Sequence, residues 1–197
     1  RFLKIMEEEA GRMSRLIDDL LSLSRVEVDE HIIPDERVPL LEIVKSVIAS
    51  LEPRAARRQM GIVLVDDRPS RPNRPVMYGF SDEINEVFHN LIENAIKYGF
   101  EGTDIHIHIL AGDAGHVRVC VTNTGEVIGK NHLGRLTERF YRVDKARSRQ
   151  IGGTGLGLAI VKHIVNRHRG TMEITSSDEG VTTFAVSLPV IAGQRAL

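Results

Sequence analysis

Two stretches near the middle of the sequence alternate strictly between apolar and polar residues, and this pattern constrains the fold more than any other feature. Ile105, Ile107 and Ile109 are separated by single histidines, and valines occupy positions 117, 119 and 121. A β-strand places successive side chains on opposite faces, so each stretch predicts a strand with one buried and one solvated face. Such strands pair antiparallel and need one covering layer, which predicts a sheet with helices on one side.

Helices for that layer are predicted where apolar residues recur at intervals of three and four. Pro39 and Ser81 stand at positions that favour helix starts. The expected fold class is therefore α+β, a two-layer α/β sandwich. The predicted helices cover residues 39 to about 60, 81–98 and 156–165, and further strands are expected at residues 62–65, 76–78, 172–175 and 182–188.

A long helix is predicted at the start of the chain, over residues 2 to about 28. Met6, Met13 and Leu20 recur every seven residues on one stripe. Because this stripe is too narrow to fold alone, we expect the helix to pack against another helix, in a hairpin or a dimer. A surface helix that covers the following domain is the alternative interpretation. Residues 31–38, which include Pro34 and lack a helical period, are predicted to be a linker.

The charge balance and the cysteine content exclude several classes of protein. Twenty-six Lys and Arg oppose 27 Asp and Glu, so the net charge is −1 at pH 7 and no overall positive field attracts nucleic acid or an anionic bilayer. Cys120 is the one cysteine, which favours a reducing, cytoplasmic compartment. No apolar run approaches the roughly 20 residues that span a bilayer. Because the chain begins at Arg1, we expect a membrane anchor or sensor in a missing N-terminal part.

A glycine-rich segment at residues 152–158 is the densest local motif, with sequence Gly-Gly-Thr-Gly-Leu-Gly-Leu. Glycines let the backbone approach a ligand, and the helix predicted to follow offers unpaired N–H groups that suit phosphate. The segment lacks the Lys-Ser/Thr ending of a P-loop, and no strand leads into it as a dinucleotide fingerprint requires. A glycine-rich helix start without a ligand is equally compatible with this motif alone.

A second motif interrupts the buried side of the helix at residues 81–98. Asn90, Asn94 and Lys97 follow one another at spacings of four and three, which places them on one helix face. Amide oxygens are hard ligands that suit hydrated Mg²⁺, Lys97 suits phosphate, and Tyr98 suits a base or ribose. Asparagines that cap neighbouring loops are the alternative.

Together these motifs resemble the ATP-binding domain of sensor histidine kinases, a branch of the superfamily that includes gyrase, the Hsp90 chaperones and MutL. Residues 90–98 are similar to the asparagine box of that family, residues 136–144 to its phenylalanine box, and residues 153–158 to its glycine box. The opening helix resembles the second helix of the family's dimerisation hairpin, in the phosphate-regulon type, and residues 170–189 resemble its final strands. The resemblance implies the Bergerat (GHKL) fold.

The resemblance also implies roles for individual residues. Asn94 is expected to ligate Mg²⁺ with help from Asn90, while Lys97 and Arg142 contact phosphate oxygens and Tyr98 flanks the nucleotide. A mobile lid is expected from about residue 141 to residue 153, where Arg147 and Arg149 are equally compatible with a solvated loop. The resemblance further assigns Asn123, Gly125, Ile128 and Thr183 to the nucleotide site, together with the glycine box: Gly153, Thr154, Gly155, Leu156, Gly157 and Leu158.

Three departures from the family pattern affect the expected nucleotide affinity. The adenine-reading Asp of the Asp-x-Gly-x-Gly motif is replaced by Asn123, and its second glycine by Val127. A neutral amide forms a weaker hydrogen bond than a carboxylate, so we expect about a tenfold loss of affinity. Phe80 stands where the family has an Asp before the asparagine-box helix, and the last glycine box is reduced to residues 180–184.

The expected function is the ATP-binding catalytic portion of a two-component sensor histidine kinase. The eight histidines all lie outside the phosphoacceptor context of the family, so we expect this histidine outside the chain and no autophosphorylation by the chain alone. Expected partners are a response regulator receiver domain and, in the full protein, a second copy joined through the hairpin. A pseudokinase used for protein interaction or ligand sensing is the alternative, and an ATPase of another machine is a further one.

The predicted layout is residues 1–30 for the hairpin helix, 31–38 for the linker, 39–190 for the catalytic domain and 191–197 for the tail.

Overall fold

A computed structural model describes residues 2–28, 31–68, 75–113, 115–144 and 153–191. Arg147, Arg149 and most of the predicted lid therefore lie outside the described residues, as does most of the predicted tail. The described helices are α1 (Phe2–Val28), α2 (Leu40–Ala56), α3 (Ser81–Tyr98), α4 (Lys130–Leu133) and α5 (Gly157–Arg167). The described strands are β1 (Glu36–Pro39), β2 (Ile62–Asp66), β3 (Val76–Gly79), β4 (Ile105–Ala111), β5 (His116–Thr124), β6 (Thr171–Ser176) and β7 (Val181–Pro189).

Five of these strands form a mixed sheet in the order β2-β4-β5-β7-β6. β2 runs parallel to β4, and the other neighbours are antiparallel. The register of β4 and β5 places Ile107 opposite Val121 and Ile109 opposite Val119, so the alternating apolar residues share one face. The histidines and the threonines of these strands lie on the other face, as the alternation predicts.

The helices α2, α3 and α5 form the second layer on the apolar face of this sheet. α3 packs against β4 and β5 and lies between α2 and α5. Its apolar side is fully buried, including Phe88, Leu91 and Ile92. The predicted α+β fold with two layers is confirmed, and every helix and strand named from the sequence is present with bounds within a few residues.

The opening helix α1 uses two faces in different ways. Leu23 and Val26, near its C-terminal end, are buried against the domain, where α1 packs on α5. Met6 and Met13 of the seven-residue stripe stay exposed, Met13 to 61%. The helix therefore covers the domain with one face and leaves an apolar stripe on the other. Among the described residues, no helix is both long and apolar enough to cross a membrane.

The expected linker contains a strand that the sequence analysis did not predict. Residues 36–38 belong to β1, which pairs antiparallel with β3 and places Val38 opposite Met77, both fully buried. β1 has four residues, two of them charged, and only one of its positions is buried. Such a short segment shows no alternation of apolar and polar residues from which a strand could be predicted. Pro39 also differs from expectation, because it ends β1 in an extended conformation and α2 begins at Leu40.

Candidate functional site

A cavity of about 520 Å³ lies between α3, the N-terminus of α5, the ends of β5 and β7, and α1. The predicted residues that line it are Asn90, Asn94, Lys97, Tyr98, Asn123, Gly125, Ile128, Arg142, Gly153, Thr154, Gly155, Gly157 and Leu158. The fold therefore brings together motifs that are separated by up to 68 residues in the sequence. Such a concave, mixed polar and apolar pocket is typical of a small-molecule site.

One wall of the cavity is the polar face of α3. Asn90, Asn94 and Lys97 lie on successive turns and all line the cavity, as their spacing predicts. The carboxamides of Asn90 and Asn94 make no hydrogen bond with any described residue. Gly157 passes so close to α3 that a Cβ there would lie 2.7 Å from Asn90 Oδ1. The two amides therefore keep their hydrogen-bonding capacity for a ligand.

Lys97 has a protein partner inside the cavity. Its Nζ donates to Glu93 Oε2 at 2.6 Å, and Glu93 also pairs with Arg54. Burial acts to raise the pKa of Glu93, but the hydrogen bond and charge of Lys97, with the charge of Arg54, outweigh it and leave the pKa lowered. The ionised Glu93 thus holds the Lys97 ammonium at the cavity wall. To contact a phosphate, Lys97 must bind it together with Glu93 or in place of Glu93.

The glycine-rich segment forms the opposite wall at the start of α5. Gly155 has φ +80°, and a Cβ there would lie 3.0 Å from the backbone of Phe140. The Phe140 N–H donates to the Gly155 carbonyl at 2.9 Å, which joins the phenylalanine box to the glycine box. Gly157 begins α5, whose first-turn N–H groups have no partner within the helix, and Gly157, Leu158 and Arg142 all line the cavity. A helix N-terminus next to a guanidinium favours an anion.

The far end of the cavity is formed by the ends of β5 and β7 and is more apolar. Asn123 lies on the same face of β5 as the buried valines, which is the face that the helices cover. It lines this end of the cavity and is only 4% exposed. Ile128 and Phe184 lie beside it. Gly125 approaches the end of α3 so closely that a Cβ would lie 2.5 Å from the Tyr98 carbonyl oxygen. Because Gly125 has no side chain, the part of the cavity next to Asn123, called the slot below, is not filled from this position.

Two residues assigned to the site by resemblance lie elsewhere. Leu156 is fully buried in the core. Thr183 faces the opposite side of the sheet, where its hydroxyl lies 3.0 Å from that of Thr122, because side chains alternate along β7. Its neighbour Thr182 lines the cavity instead.

The helix α1 supplies cavity residues that the sequence analysis did not identify. Arg15, Asp18 and Asp19 all line the cavity, and the Thr154 hydroxyl donates to the Asp19 carboxylate. Burial raises the pKa of Asp19 despite this hydrogen bond. A second contact joins the Ser22 hydroxyl to Glu86 of α3 at 2.6 Å, and burial likewise raises the pKa of Glu86. No local pattern in the sequence shows how α1 is oriented against the domain, so the sequence did not indicate that these residues line the cavity.

Comparison with known families matches this region of the chain. The profile of the family described as histidine kinase-, DNA gyrase B- and HSP90-like ATPase matches residues 79–192. This range includes every strand and helix that lines the cavity except α1.

Curated relatives extend the similarity over almost the whole chain. The phosphate regulon sensor protein PhoR of Pseudomonas aeruginosa is 39% identical over 93% of this chain and 40% of its own length. The sensor-like histidine kinase SenX3 of Mycolicibacterium smegmatis is 35% identical over 96% of this chain and 48% of its own length. The chain thus spans less than half the length of these relatives.

Solved structures share the fold at lower sequence identity. The mycobacterial sensor histidine kinase MprB superposes with a TM-score of 0.67 at 24% identity, over 81% of this chain and 99% of the MprB chain. Full-length ShkA in complex with AMPPNP superposes with a TM-score of 0.79 at 22% identity, over 96% of this chain and 38% of the ShkA chain.

Proposed function

Because the chain belongs to the histidine kinase-, DNA gyrase B- and HSP90-like ATPase family, we propose that it is the ATP-binding catalytic portion of a two-component sensor histidine kinase. In the full protein, ATP phosphorylates a histidine that lies outside this chain. The phosphoryl group then passes to an aspartate in the receiver domain of a response regulator. The similarity of nearly the whole chain to sensor kinases supports this proposal.

The observation that carries the proposal is the convergence of three kinds of group in one cavity. The cavity combines the free carboxamides of Asn90 and Asn94, the N-terminus of α5 with Arg142, and the slot in front of Asn123. These three kinds of group suit a divalent cation, a phosphate chain and a nucleobase, respectively. Phosphoryl transfer needs mainly positioning and charge neutralisation, and this arrangement supplies both.

Mg²⁺ fits the donors present at the α3 wall. Amide oxygens are hard ligands, and those of Asn94 and Asn90 face the cavity without a protein partner among the described residues. Asn94 would hold the ion, with Asn90 beside it. A bound Mg²⁺ neutralises charge on the phosphate oxygens. Arg142 and the N–H groups of the glycine box orient the same phosphates from the opposite wall.

The assembly of the full protein follows from the exposed stripe of α1. Met6, Met13 and Leu20 are all more than 40% exposed although they recur with a helical period. We propose that a first hairpin helix and a second copy of the protein cover this stripe. We also propose that the chain is the cytoplasmic part of a membrane-anchored sensor, and its similarity to curated sensor proteins more than twice as long supports this proposal.

Calorimetry with a non-hydrolysable ATP analogue tests the proposed function. We expect micromolar binding that depends on Mg²⁺, and Asn94→Ala should weaken it about tenfold or more because a hard ligand is lost. Asn166→Ala, on the exposed side of α5, is the matched control and should bind as the unmodified chain does. Absence of binding by the folded chain, or equal binding by Asn94→Ala, would contradict the proposal.

A pseudokinase is the second candidate, and Asn123 is the observation that favours it. The residue that faces the nucleobase slot has no carboxylate, which lowers the expected affinity for adenine. A pseudokinase would bind no ATP analogue until Asn123→Asp is introduced, or would bind it without phosphorylating a restored histidine helix. Measurable transfer of phosphate from ATP to that helix would exclude this candidate.

A further inference from the structure

The residue Asn123 is largely buried, and its carboxamide meets the cavity without bonding to the described part of the chain. The residue is 4% exposed, yet its carboxamide makes no hydrogen bond with any described residue. The amide therefore keeps its full capacity to donate and accept hydrogen bonds. Because the same side chain lines the cavity, the amide is directed at whatever occupies the cavity.

The neighbours of Asn123 leave its carboxamide open to the contents of the cavity. Thr182, its neighbour across the β5 and β7 pair, donates its hydroxyl to Ser176 at 3.1 Å and so is engaged elsewhere. Gly125 lies so close that a Cβ would be 3.3 Å from Asn123 Nδ2, which keeps the slot free of side chains. With Ile128 and Phe184 alongside, the slot suits a flat ring whose polar edge reaches the amide.

We propose that Asn123 makes the pocket a purine site that accepts both 6-amino and 6-oxo purine nucleoside triphosphates. The inference rests on the proposed function, which places a nucleoside triphosphate in this cavity. A carboxamide carries an acceptor oxygen and a donor NH₂ group on one planar unit. Its oxygen accepts from a 6-amino group, and after a half-turn of the amide its NH₂ donates to a 6-oxo group.

A carboxylate at the same position would behave differently. It is an acceptor only, so it pairs with a 6-amino group and opposes a 6-oxo group. Replacing Asn123 by Asp therefore strengthens binding of one purine class and weakens binding of the other. The substitution therefore changes the ratio of the two affinities, whereas a substitution that only disturbed the site would lower both.

The test is competition of ATP and inosine triphosphate against a fluorescent ATP analogue, in the presence of Mg²⁺. The two nucleotides differ at the six position, and inosine triphosphate avoids the additional 2-amino group of GTP. We expect their affinities for the unmodified chain to lie within about tenfold of each other, since each forms one neutral hydrogen bond with Asn123. GTP, measured in parallel, reports whether the slot also admits the 2-amino group.

The variant Asn123→Asp should change the affinity ratio by about 100-fold in favour of ATP, with about tenfold from each nucleotide. Asn166→Asp adds the same charge on the exposed side of α5 and should leave the ratio unchanged. Rejection of inosine triphosphate by an unmodified chain that binds ATP, or an unchanged ratio in Asn123→Asp, would overturn the inference. Failure of both nucleotides to bind the folded chain would instead overturn the proposed function. The comparison within the unmodified chain remains decisive if the variant does not fold.

Discussion

Gly157 marks the closest approach between the two polar walls of the cavity. A Cβ at this position would lie 2.7 Å from Asn90 Oδ1 and 3.4 Å from Asn90 Cγ, so an alanine must displace the carboxamide. Alanine itself favours a helix, so the change should act on the site more than on folding.

We predict that Gly157→Ala weakens Mg²⁺-dependent binding of an ATP analogue about tenfold, which calorimetry would measure. Gly134→Ala is the matched control, because Gly134 has φ −66° and nothing within 4 Å of the added Cβ. Equal affinities of the two variants would show that Asn90 does not need its present position.

His168 gives the fold a pH dependence that is separate from the cavity. Its Nδ1 lies 2.8 Å from the Ile164 carbonyl oxygen, and its Nε2 accepts from the Phe80 N–H at 3.1 Å. This pairing needs the neutral imidazole, because a protonated ring has no acceptor. Burial lowers the pKa of His168, and the charge of Arg167 lowers it further, against the opposing effect of the Ile164 hydrogen bond.

We predict that the free energy of unfolding falls as the pH falls below about 6.5, the ordinary pKa of histidine, toward the lowered pKa of the folded state. The unfolded chain binds the proton more readily in this window, so the loss approaches about 1.4 kcal/mol per pH unit. Urea unfolding at several pH values measures it. His168→Gln should remove this contribution, whereas the exposed His31→Gln should retain it. The raised pKa values of Asp19 and Glu86 contribute in the opposite direction. The two variants are therefore compared with each other, and equal pH profiles would contradict the prediction.

Residue spacing was sufficient to predict the cavity wall on α3, whereas the position transferred by resemblance on β7 differs from the observed lining. Asn90, Asn94 and Lys97 lie as their helical period requires. Thr183 was assigned by resemblance, although the period of two that ends in Phe184, Val186 and Leu188 points to Thr182. On β7, the local period therefore identifies the threonine that lines the cavity.

At the scale of elements, the long periodic segments were predictable and the short ones were not. α1 was predicted with the bounds that the structure has, because 27 residues contain many helical turns. β1 has four residues and one buried strand position, so nothing in the sequence distinguishes it from a linker. The packing of α1 across the cavity depends on contacts between distant segments, which no local pattern records.

We predict that α1 opposes nucleotide binding. Arg15, Asp18 and Asp19 line the cavity, and Asp19 accepts the hydroxyl of Thr154 from the glycine box. Asp19→Ala should remove this hydrogen bond and raise the affinity for an ATP analogue about fivefold, as measured by calorimetry. The exposed Asp35→Ala should change nothing, and a lower affinity in Asp19→Ala would mean that Asp19 instead supports the site.

At the scale of the whole molecule, the chain combines a buried apolar core with an exposed apolar stripe on α1. The five-stranded sheet and its helical layer bury one continuous apolar cluster that includes the C-terminal part of α1. The N-terminal part of α1 contributes Met6 and Met13 to the surface instead. Composition and alternation predicted the layered core, whereas the contact between α1 and the cavity emerges only from the assembled structure.

The central claim is that the nucleotide binds in the same cavity that α1 contacts. Hydrogen–deuterium exchange with and without an Mg²⁺-bound, non-hydrolysable ATP analogue tests it most directly. The account predicts slower exchange at residues 90–98 and 153–158, which form the two polar walls. It also predicts faster exchange at residues 15–26, because the nucleotide and Asp19 compete for the same place. Protection confined to other parts of the chain, or unchanged exchange in α1 at saturating nucleotide, would contradict it.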